Sequence, residues 1–168
     1  VSGPVNIEPF IGIDGVKGKS AADMAEAVAA RSEASDIVVM CSAVADYTPT
    51  HYSAQKVKKI DGELSIPLAR TIDILHTLGM KKKEGQMLVG FSMETENLIE
   101  NSRKKLSKKN ADIICANTIA DGGDTGFAVD TNQVTLITET EVITLPLCTK
   151  EETADLILSH IVELQKEK

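Results

Sequence analysis

Three short, almost entirely apolar runs are the feature that most constrains the fold of this chain. They cover residues 37–41, 87–91 and 111–116, and each is too short for a typical buried helix. A continuous apolar run of this length is typical of a parallel strand that is covered on both faces. The stretches between the runs are long enough for the helices that parallel strands require as connections. The sequence therefore predicts an α/β fold with a Rossmann-like, doubly wound and mostly parallel sheet.

Helices are predicted between and after these runs. A capping box at residues 20–23, in which a hydroxyl is followed three positions later by an acid, opens a helix that continues to about Ser35. Apolar residues at helical spacing predict further helices over residues 71–85 and 94–109. A second capping box at residues 149–152 opens a terminal helix.

The remaining segments are predicted as loops and strands outside the βα alternation. Residues 47–62 lack periodicity and are predicted as a long loop, a kind of segment that is often functional. Residues 63–68 are predicted as a strand and residues 121–126 as a loop rich in Gly and Asp. Residues 134–145 alternate like a late antiparallel β-hairpin with its turn at Glu139.

Length and composition set limits on the class of protein. A chain of 168 residues is expected to form a single domain over residues 1–168. Its net charge of −7 argues against binding to nucleic acid or to an anionic membrane, because both require a positive surface. There is no apolar run of membrane-spanning length and no signal peptide in the sequence. We therefore predict a cytoplasmic location.

The cysteines and histidines are too scattered to predict a disulfide framework or a metal site. Cys41, Cys115 and Cys148 are odd in number, far apart and set in apolar runs. They are therefore predicted to be buried in a protein of a reducing compartment.

The three apolar runs end in residues that suit a binding site. The first leads into small residues and Asp46, the second ends at Phe91, and the third is followed by Asn117. Because the carboxyl ends of parallel strands meet at one edge of a sheet, we expect these residues to lie along that edge, where ligands bind in α/β sheets. A nucleotide base against Phe91 and a hydrogen bond to the Asp46 carboxylate would fit this edge.

Two sets of lysines are candidates for phosphate contacts. Lys56, Lys58 and Lys59 lie on the predicted long loop, while Lys105 and Lys109 are four residues apart and share one face of a helix. The plainer interpretation is that the lysines are solvated surface. Likewise, residues 42–46 fit a small-residue turn, Phe91 fits the core and Asn117 fits a turn cap. The sequence contains neither a Walker A loop nor a GxGxxG motif.

Taken together, several motifs resemble one enzyme family. They are "SAVADYTP", "QKVKK", "ARTIDIL", "VGFSMET", "RKKLSKKNADIICAN" and "TGFAVDTNQVTLI", and they extend over nearly the whole chain in the family order. The chain resembles the bacterial phosphopantothenoylcysteine synthetases (phosphopantothenate–cysteine ligases), which in many bacteria form the C-terminal half of a bifunctional coenzyme A biosynthesis protein.

The resemblance implies a Rossmann-like homodimer that joins 4'-phosphopantothenate to cysteine in two steps. CTP and Mg²⁺ first convert the phosphopantothenate carboxylate into an acyl-cytidylate, and the cysteine amine then displaces CMP. The resemblance also implies fusion to a phosphopantothenoylcysteine decarboxylase flavoprotein half. Two further interpretations stay open, namely a non-catalytic nucleotide-binding module and an NAD(P)-dependent reductase on a related sheet.

The resemblance implies specific site residues, although it leaves the Mg²⁺ ligands unassigned. Lys56 would be the catalytic contact to the triphosphate, and we further expect Ala43 and Asn117 to contact the acyl substrate. The residues that the resemblance assigns to CTP are Met40, Cys41, Ser42, Asp46, Lys56, Ile72, Asp73, Ile74, Leu75, Phe91, Lys105 and Lys109.

The chain departs from the family pattern at two places. It has Thr71-Ile72-Asp73 where the family commonly has Asn-Pro-Asp, so the local backbone is expected to differ. The opening segment of the family, with its first strand and the asparagine that acts on the acyl-cytidylate, is not found in residues 1–168. We therefore expect this sequence to be the later part of a longer protein.

Overall fold

The computed structural model describes residues 1–5, 11–59, 61–118 and 129–166. The predicted Gly/Asp loop at 121–126 lies outside these residues. The chain divides into two compact units, residues 1–28 with 43–73 (unit 1) and residues 29–42 with 74–168 (unit 2). The elements in chain order are α1 (Ala21–Ser32), β1 (Ile37–Met40), β2 (Tyr47–Pro49), β3 (Leu68–Arg70), α2 (Ile74–Lys81), β4 (Met87–Glu94), α3 (Leu98–Lys109), β5 (Ile113–Thr118), β6 (Thr131–Asn132), β7 (Val134–Ile137), β8 (Val142–Thr144), β9 (Cys148–Thr149) and α4 (Lys150–Lys166).

Unit 2 contains a five-stranded mixed sheet with the order β1-β4-β5-β7-β8. The strands β1, β4 and β5 are parallel to one another, as predicted from the three apolar runs. The strands β7 and β8 are antiparallel to their neighbours. The fold is therefore a mixed α/β arrangement in which helices accompany a partly parallel sheet.

Helices cover both faces of this sheet. On one face, Ile157 and Ile161 of α4 pack in the main apolar cluster with side chains of β4, β5 and β7. On the other face, Gly90 of β4 lies so close to Leu75 of α2 that a Cβ there would be 2.5 Å from the leucine Cδ2. The buried hydroxyl of Ser102 on α3 is hydrogen-bonded to Ser92 at 3.0 Å on that same face. Burial of apolar area between these layers is the main source of stability in unit 2.

The first apolar run differs from the other two in its burial. Residues 87–90 and 113–116 are buried, as expected of strands covered on both faces. In contrast, β1 is mostly half-buried, and Val39 is 38% exposed. Among the described strands β1 pairs with β4 alone, so it forms an edge of this sheet. The expectation that this run is covered on both faces is therefore wrong for the described residues.

Both predicted capping boxes are confirmed by their hydrogen bonds. The Asp23 backbone N–H donates to Ser20 Oγ at 3.1 Å, and the Ser20 N–H donates to the Asp23 carboxylate at 3.0 Å. The second box repeats this exchange between Thr149 and Glu152, at 3.2 and 2.9 Å. Hydrogen bonds hold the pKa of both carboxyl groups below its ordinary value. For Asp23 the main cause is the backbone N–H of Lys19, which donates to Oδ2 at 2.9 Å, followed by that of Ser20. For Glu152 the main cause is the backbone N–H of Thr149.

Unit 1 is small and has little buried surface. The strands β2 and β3 pair antiparallel, with Tyr47 opposite Arg70 and Pro49 opposite Leu68. The predictions of a loop from residue 47 and of a strand over 63–68 are therefore wrong at their boundaries. The pairing between two segments far apart in sequence decides where these short strands lie, and a propensity argument does not reveal that pairing.

Helix boundaries also differ from the predictions: α1 ends at Ser32 rather than near Ser35, and α2 ends at Lys81 rather than near Gly85. Helix α2 begins at Ile74 rather than at Thr71, because the Thr71 N–H donates to the Asp46 carbonyl at 2.9 Å and so continues the β2–β3 pairing. Helix α3 begins at Leu98 rather than at Glu94, which is the last residue of β4.

Candidate functional site

The carboxyl ends of the parallel strands bring together three of the segments that the sequence singled out. In the register of the sheet, Met40 lies opposite Gly90, and Phe91 lies opposite Cys115. The next residue after Met40, Cys41, therefore lies level with Phe91, and residues that are level in parallel strands point to the same face. The prediction that these strand ends meet at one edge of the sheet is confirmed within unit 2.

The strands run further than the sequence indicated. Strand β4 continues to Glu94 and β5 to Thr118. Phe91 therefore lies inside its strand rather than at the last position, and Asn117 is a strand residue rather than one that directly follows a strand. Phe91 is half-buried and packs against the main apolar cluster, so part of its ring belongs to the core.

The small residues after β1 are open to solvent. Cys41, Ser42 and Ala43 are all exposed. Such residues allow a ligand to approach the backbone closely. The prediction that all three cysteines are buried is wrong: Cys115 is buried, Cys148 is half-buried, and Cys41 is exposed because it lies past the end of an edge strand.

The thiols of Cys115 and Cys41 differ in their access to solvent, because Cys115 is buried and Cys41 is exposed. Burial, with a smaller contribution from the nearby Cys41, raises the pKa of Cys115 to about 12. A thiol with so high a pKa forms almost no thiolate near neutral pH and is chemically inert. Cys41 is therefore the cysteine at this edge of the sheet that reagents reach.

The two predicted helix lysines lie on α3 and are both half-buried. Lys105 is ion-paired with Glu94, with 3.5 Å between Nζ and Oε1, and Asn101 Nδ2 donates to the other Glu94 oxygen at 3.3 Å. Sequence reasoning missed Glu94 because it was assigned to the helix. The alternation of apolar and polar residues after Phe91 was the available signal that the strand continues. The backbone of Lys109 lies at the contact between α3 and α2. The two helices are so close there that a Cβ on Gly79 would overlap the Lys109 carbonyl oxygen.

Other predicted site residues lie in unit 1. The Thr71 side chain donates to the Ala45 carbonyl at 2.6 Å, and the Thr71 backbone N–H donates to the Asp46 carbonyl. These bonds bring Asp46 to the same end of the β2–β3 pair as Ile72 and Asp73, all three of which are exposed. Ile74 and Leu75, by contrast, begin α2 in unit 2.

Lys56 lies on an exposed stretch, residues 51–59, without helix or strand. Lys58 and Lys59 share this exposure. The described contacts therefore do not single out one of the three lysines, and the assignment of Lys56 stays a prediction.

Asn117 has a buried partner that the sequence did not indicate. Asn132 of β6 is 8% exposed, and its Nδ2 donates to Asn117 Oδ1 at 3.4 Å. The Asn132 Oδ1 accepts the backbone N–H of Gln133 at 3.0 Å. The two amides come from segments 15 positions apart in sequence, and nothing in either local pattern predicts that they meet.

The described residues contain no cluster of three or more His, Cys, Asp or Glu side chains that could hold a metal ion. Mg²⁺ needs no such cluster when substrate phosphates and water supply most of its ligands. Asp46 and Asp73, at the same end of the β2–β3 pair, fit a role of that limited kind. In the part of the chain that the structure describes, no helix has the length and apolar character needed to span a bilayer.

The fold and the site define a class of protein: an α/β protein whose ligand-contacting residues are expected at the carboxyl ends of parallel strands. Residues 1–164 match the family described as DNA/pantothenate metabolism flavoprotein C-terminal domain, and the chain belongs to that family.

Named relatives agree with this family. The chain is 44% identical to the coenzyme A biosynthesis bifunctional protein CoaBC of Bacillus subtilis (strain 168), covering 99% of this chain and 41% of that protein. It is 40% identical to a cysteine/cysteine sulfinic acid decarboxylase of an unknown prokaryotic organism, covering 98% of this chain and 46% of that protein. The chain therefore spans less than half the length of these relatives.

A solved structure agrees as well. The crystal structure of the C-terminal domain of CoaBC superposes with a TM-score of 0.80 and 38% identity, covering 99% of this chain and 73% of that one. The resemblance to the C-terminal synthetase half of the bifunctional protein, seen first in the sequence motifs, is confirmed.

Proposed function

We propose that this chain is a phosphopantothenate–cysteine ligase domain that uses CTP. One observation carries the proposal: the parallel register of β1, β4 and β5 aligns the exposed residues after Met40 with Phe91 at the carboxyl edge of the sheet. A Rossmann-like, doubly wound sheet with a hairpin at its edge would place a nucleotide at this edge. The relatedness to bifunctional coenzyme A biosynthesis proteins supports the choice of reaction.

The reaction proceeds in two displacements. A carboxylate oxygen of 4'-phosphopantothenate attacks the α-phosphorus of CTP, the bond to the β-phosphate oxygen breaks, and pyrophosphate leaves. The cysteine amine then attacks the acyl carbon of the resulting acyl-cytidylate, loses a proton, and CMP leaves. Both steps need donors that offset the negative charge on phosphate oxygens.

Different residues of this chain contact different parts of the substrates. Lysine ammonium groups at positions 56, 105 and 109 offset the charge of the triphosphate. The backbone at residues 40–42 contacts the nucleoside, with Asp46 accepting a hydrogen bond, residues 72–75 completing the nucleotide site and Phe91 packing against it. Ala43 and Asn117 contact the acyl substrate.

Mg²⁺ would neutralise triphosphate charge when bound, held by phosphate oxygens and by Asp46 or Asp73.

Exposed apolar side chains in unit 1 support a homodimer. The large apolar residues of unit 1 that are at least half exposed include Tyr47, Tyr52, Val57, Leu64, Ile66, Leu68 and Ile72. Exposed apolar side chains are the material of protein–protein contact sites, and the short strands β2 and β3 have edges that association would cover.

The longer protein would carry a second activity. Since residues 1–168 span 41% of the bifunctional relative, a fused phosphopantothenoylcysteine decarboxylase flavoprotein half would occupy sequence outside them. The decarboxylase named among the relatives is also covered over less than half its length, so its activity is no argument for a decarboxylase site in this chain.

Ligand binding and turnover test the proposal in a longer protein that contains residues 1–168. We expect CTP with Mg²⁺ to raise the melting temperature more than ATP or NADPH does, because a site that reads the polar edge of a base rejects bases that leave its groups unpaired. Equal stabilisation by CTP and ATP would contradict the choice of nucleotide. Stabilisation by NADPH alone would favour the reductase interpretation, and binding of CTP without product formation would favour a non-catalytic module.

A matched pair of lysine variants tests the catalytic assignment. Lys56→Ala should lower turnover by roughly 10²–10³-fold, the size of effect seen when an electrostatic contact to a transition state is lost. Lys58→Ala, an equally exposed neighbour, should do much less. Equal losses in the two variants would indicate a diffuse positive patch instead of a specific contact.

A further inference from the structure

Asn132 is a buried amide whose orientation is fixed by a backbone group. Its backbone pairs with Cys148 in the β6–β9 ladder, and its side chain is 8% exposed. Its Oδ1 accepts the Gln133 N–H at 3.0 Å. A backbone N–H can only donate, so the atom that faces it must be the oxygen.

This orientation determines the orientation of Asn117. Since the Asn132 oxygen faces Gln133, the Asn132 Nδ2 group faces Asn117, where it donates to Oδ1 at 3.4 Å. The oxygen of Asn117 is therefore taken up by Asn132, and its Nδ2 group lies on the other side of the amide. One unambiguous backbone donor thus sets the direction of two side-chain amides.

Asn117 lies at the carboxyl edge of the sheet, where its Nδ2 group can donate a hydrogen bond to a ligand. It is half-buried on β5, opposite Met93 of β4 and Val134 of β7. It is two residues beyond Cys115 on the same strand and so points to the same face as Cys115 and Phe91. This is the carboxyl edge at which the proposed substrates bind.

We propose that Asn132 is a positioning residue that holds the Asn117 amide with its Nδ2 group directed at an oxygen atom of a bound substrate. The inference rests on the proposed function. The acceptor is a carbonyl, carboxylate or phosphate oxygen, a chemistry that 4'-phosphopantothenate and CTP share. Asn117 makes the contact, and Asn132 acts through it.

A purely structural role for Asn132 would require only part of its side-chain chemistry. Holding the turn into β7 requires only an acceptor for the Gln133 N–H, which an aspartate also provides. Asn132→Asp keeps that acceptor but replaces the Nδ2 donor with a second oxygen. Asn117 would then turn its Nδ2 group inward and its Oδ1 outward, which presents an acceptor to the substrate oxygen.

The variant also carries its own internal control. Burial raises the pKa of a carboxyl group, so the carboxyl in Asn132→Asp is expected to become protonated at mildly acidic pH. Its O–H group then donates to Asn117 Oδ1 as the native amide does. The defect should therefore shrink as the pH is lowered, relative to the unmodified protein at the same pH.

Steady-state kinetics with each substrate varied separately test the inference in a longer protein that contains residues 1–168. At pH 8, Asn132→Asp should raise KM for one of the two substrates, 4'-phosphopantothenate or CTP, by about tenfold or more, with kcat changed much less. The substrate whose KM moves identifies the source of the oxygen. Asn117→Ala should raise KM for that same substrate.

Thr138→Val is the matched control. Thr138 is also buried, at 5% exposure, and its Oγ1 likewise accepts a backbone N–H, that of Glu141 at 2.9 Å. This variant should lower the melting temperature without changing either KM. If Asn132→Asp does not fold, Asn132→Ala, which removes the donor to Asn117, should raise the same KM without the recovery at low pH.

The outcomes separate this inference from the function on which it rests. A KM effect in Asn117→Ala with none in the Asn132 variants would overturn the positioning role and leave the ligase proposal standing. A KM effect in Asn132→Asp that does not depend on pH, or that Thr138→Val reproduces, would also overturn it. Absence of ligase activity in the unmodified protein would overturn both.

Discussion

The two ends of the parallel strands in unit 2 are built differently. At the amino ends, both Asp112 oxygens lie 3.1 Å from Lys82 Nζ, and Asp112 Oδ2 also accepts the Leu88 N–H at 2.7 Å. Gln86 Nε2 donates to the carbonyl oxygens of Ser32 and Ser35, each at 2.6 Å. These side chains are well shielded and their bonds are short.

At the carboxyl ends, polar side chains interact through longer bonds and are more accessible. The Glu94–Lys105 pair spans 3.5 Å with Lys105 33% exposed, and the Asn117–Asn132 bond spans 3.4 Å. Cys41 is open to solvent. The difference indicates that the amino edge contributes more to stability than the carboxyl edge, which is the edge that the proposed function assigns to a ligand. Variants at the two edges should therefore change different quantities.

The largest effect on stability is expected at the amino edge. Asp112→Ala leaves the Lys82 ammonium, whose side chain is 14% exposed, without this partner and removes the acceptor of the Leu88 N–H. Losing one partner of a buried ion pair typically lowers the free energy of unfolding by about 3–5 kcal/mol. Denaturant unfolding measures this loss of free energy, and Asp155→Ala on the exposed face of α4 is the control. A loss as small as that of the control would show that the amino edge is not the stabilising one.

At the carboxyl edge, the effect is expected on activity rather than on stability. Lys105→Ala should lower turnover by about 10²-fold, because it removes a charge that we propose faces the triphosphate, while the free energy of unfolding changes little. Lys104→Ala on the same helix is the matched control, since Lys104 forms an exposed ion pair with Glu100 at 2.7 Å. Equal turnover in the two variants would remove Lys105 from the site.

An effect of intermediate size is expected on the rate at which the cysteine thiols are alkylated. Alkylation at pH 8, followed by mass spectrometry of peptides, should modify Cys41 at least about tenfold faster than Cys115, because burial raises the pKa of Cys115 to about 12. CTP with Mg²⁺ should slow the modification of Cys41. Modification of Cys41 at an unchanged rate under saturating CTP would argue against a nucleotide at this end of β1.

The smallest effect is expected at the start of α4. Thr149→Ala removes the hydroxyl of the capping box and should cost about 1 kcal/mol. The pKa of Glu152 is lowered by hydrogen bonds from the Thr149 N–H and hydroxyl. Its stabilising effect is therefore present above its ordinary pKa of about 4.5 and is lost as the pH falls through the lowered pKa of the folded state.

Melting curves check this sign. The difference in melting temperature between the unmodified protein and Glu152→Gln should be present at pH 7 and should shrink as the pH falls below about 4.5. Glu151→Gln, a change at the neighbouring exposed acid, is the control. A difference that persists unchanged at pH 3 would contradict the role of the charge.

Local chemistry made much of this protein predictable. Apolar runs of strand length predicted the three parallel strands, and a hydroxyl followed three positions later by an acid predicted both helix starts. The four-residue spacing of Lys105 and Lys109 placed them on one face of α3. Each of these inferences needed only residues within one or two helical turns or one strand, so the sequence alone was sufficient.

Tertiary structure decided what depends on partners distant in sequence. Thr71 is outside α2 because it bonds to Asp46, and Glu94 belongs to β4 because the pairing of β4 with β5 continues to Thr118. The contact between Asn117 and Asn132 likewise joins separate strands. Hydrogen-bond partners distant in sequence override local propensity. The motifs and the proposed binding edge therefore followed from the sequence, whereas the orientation of the side chains at that edge required the three-dimensional structure.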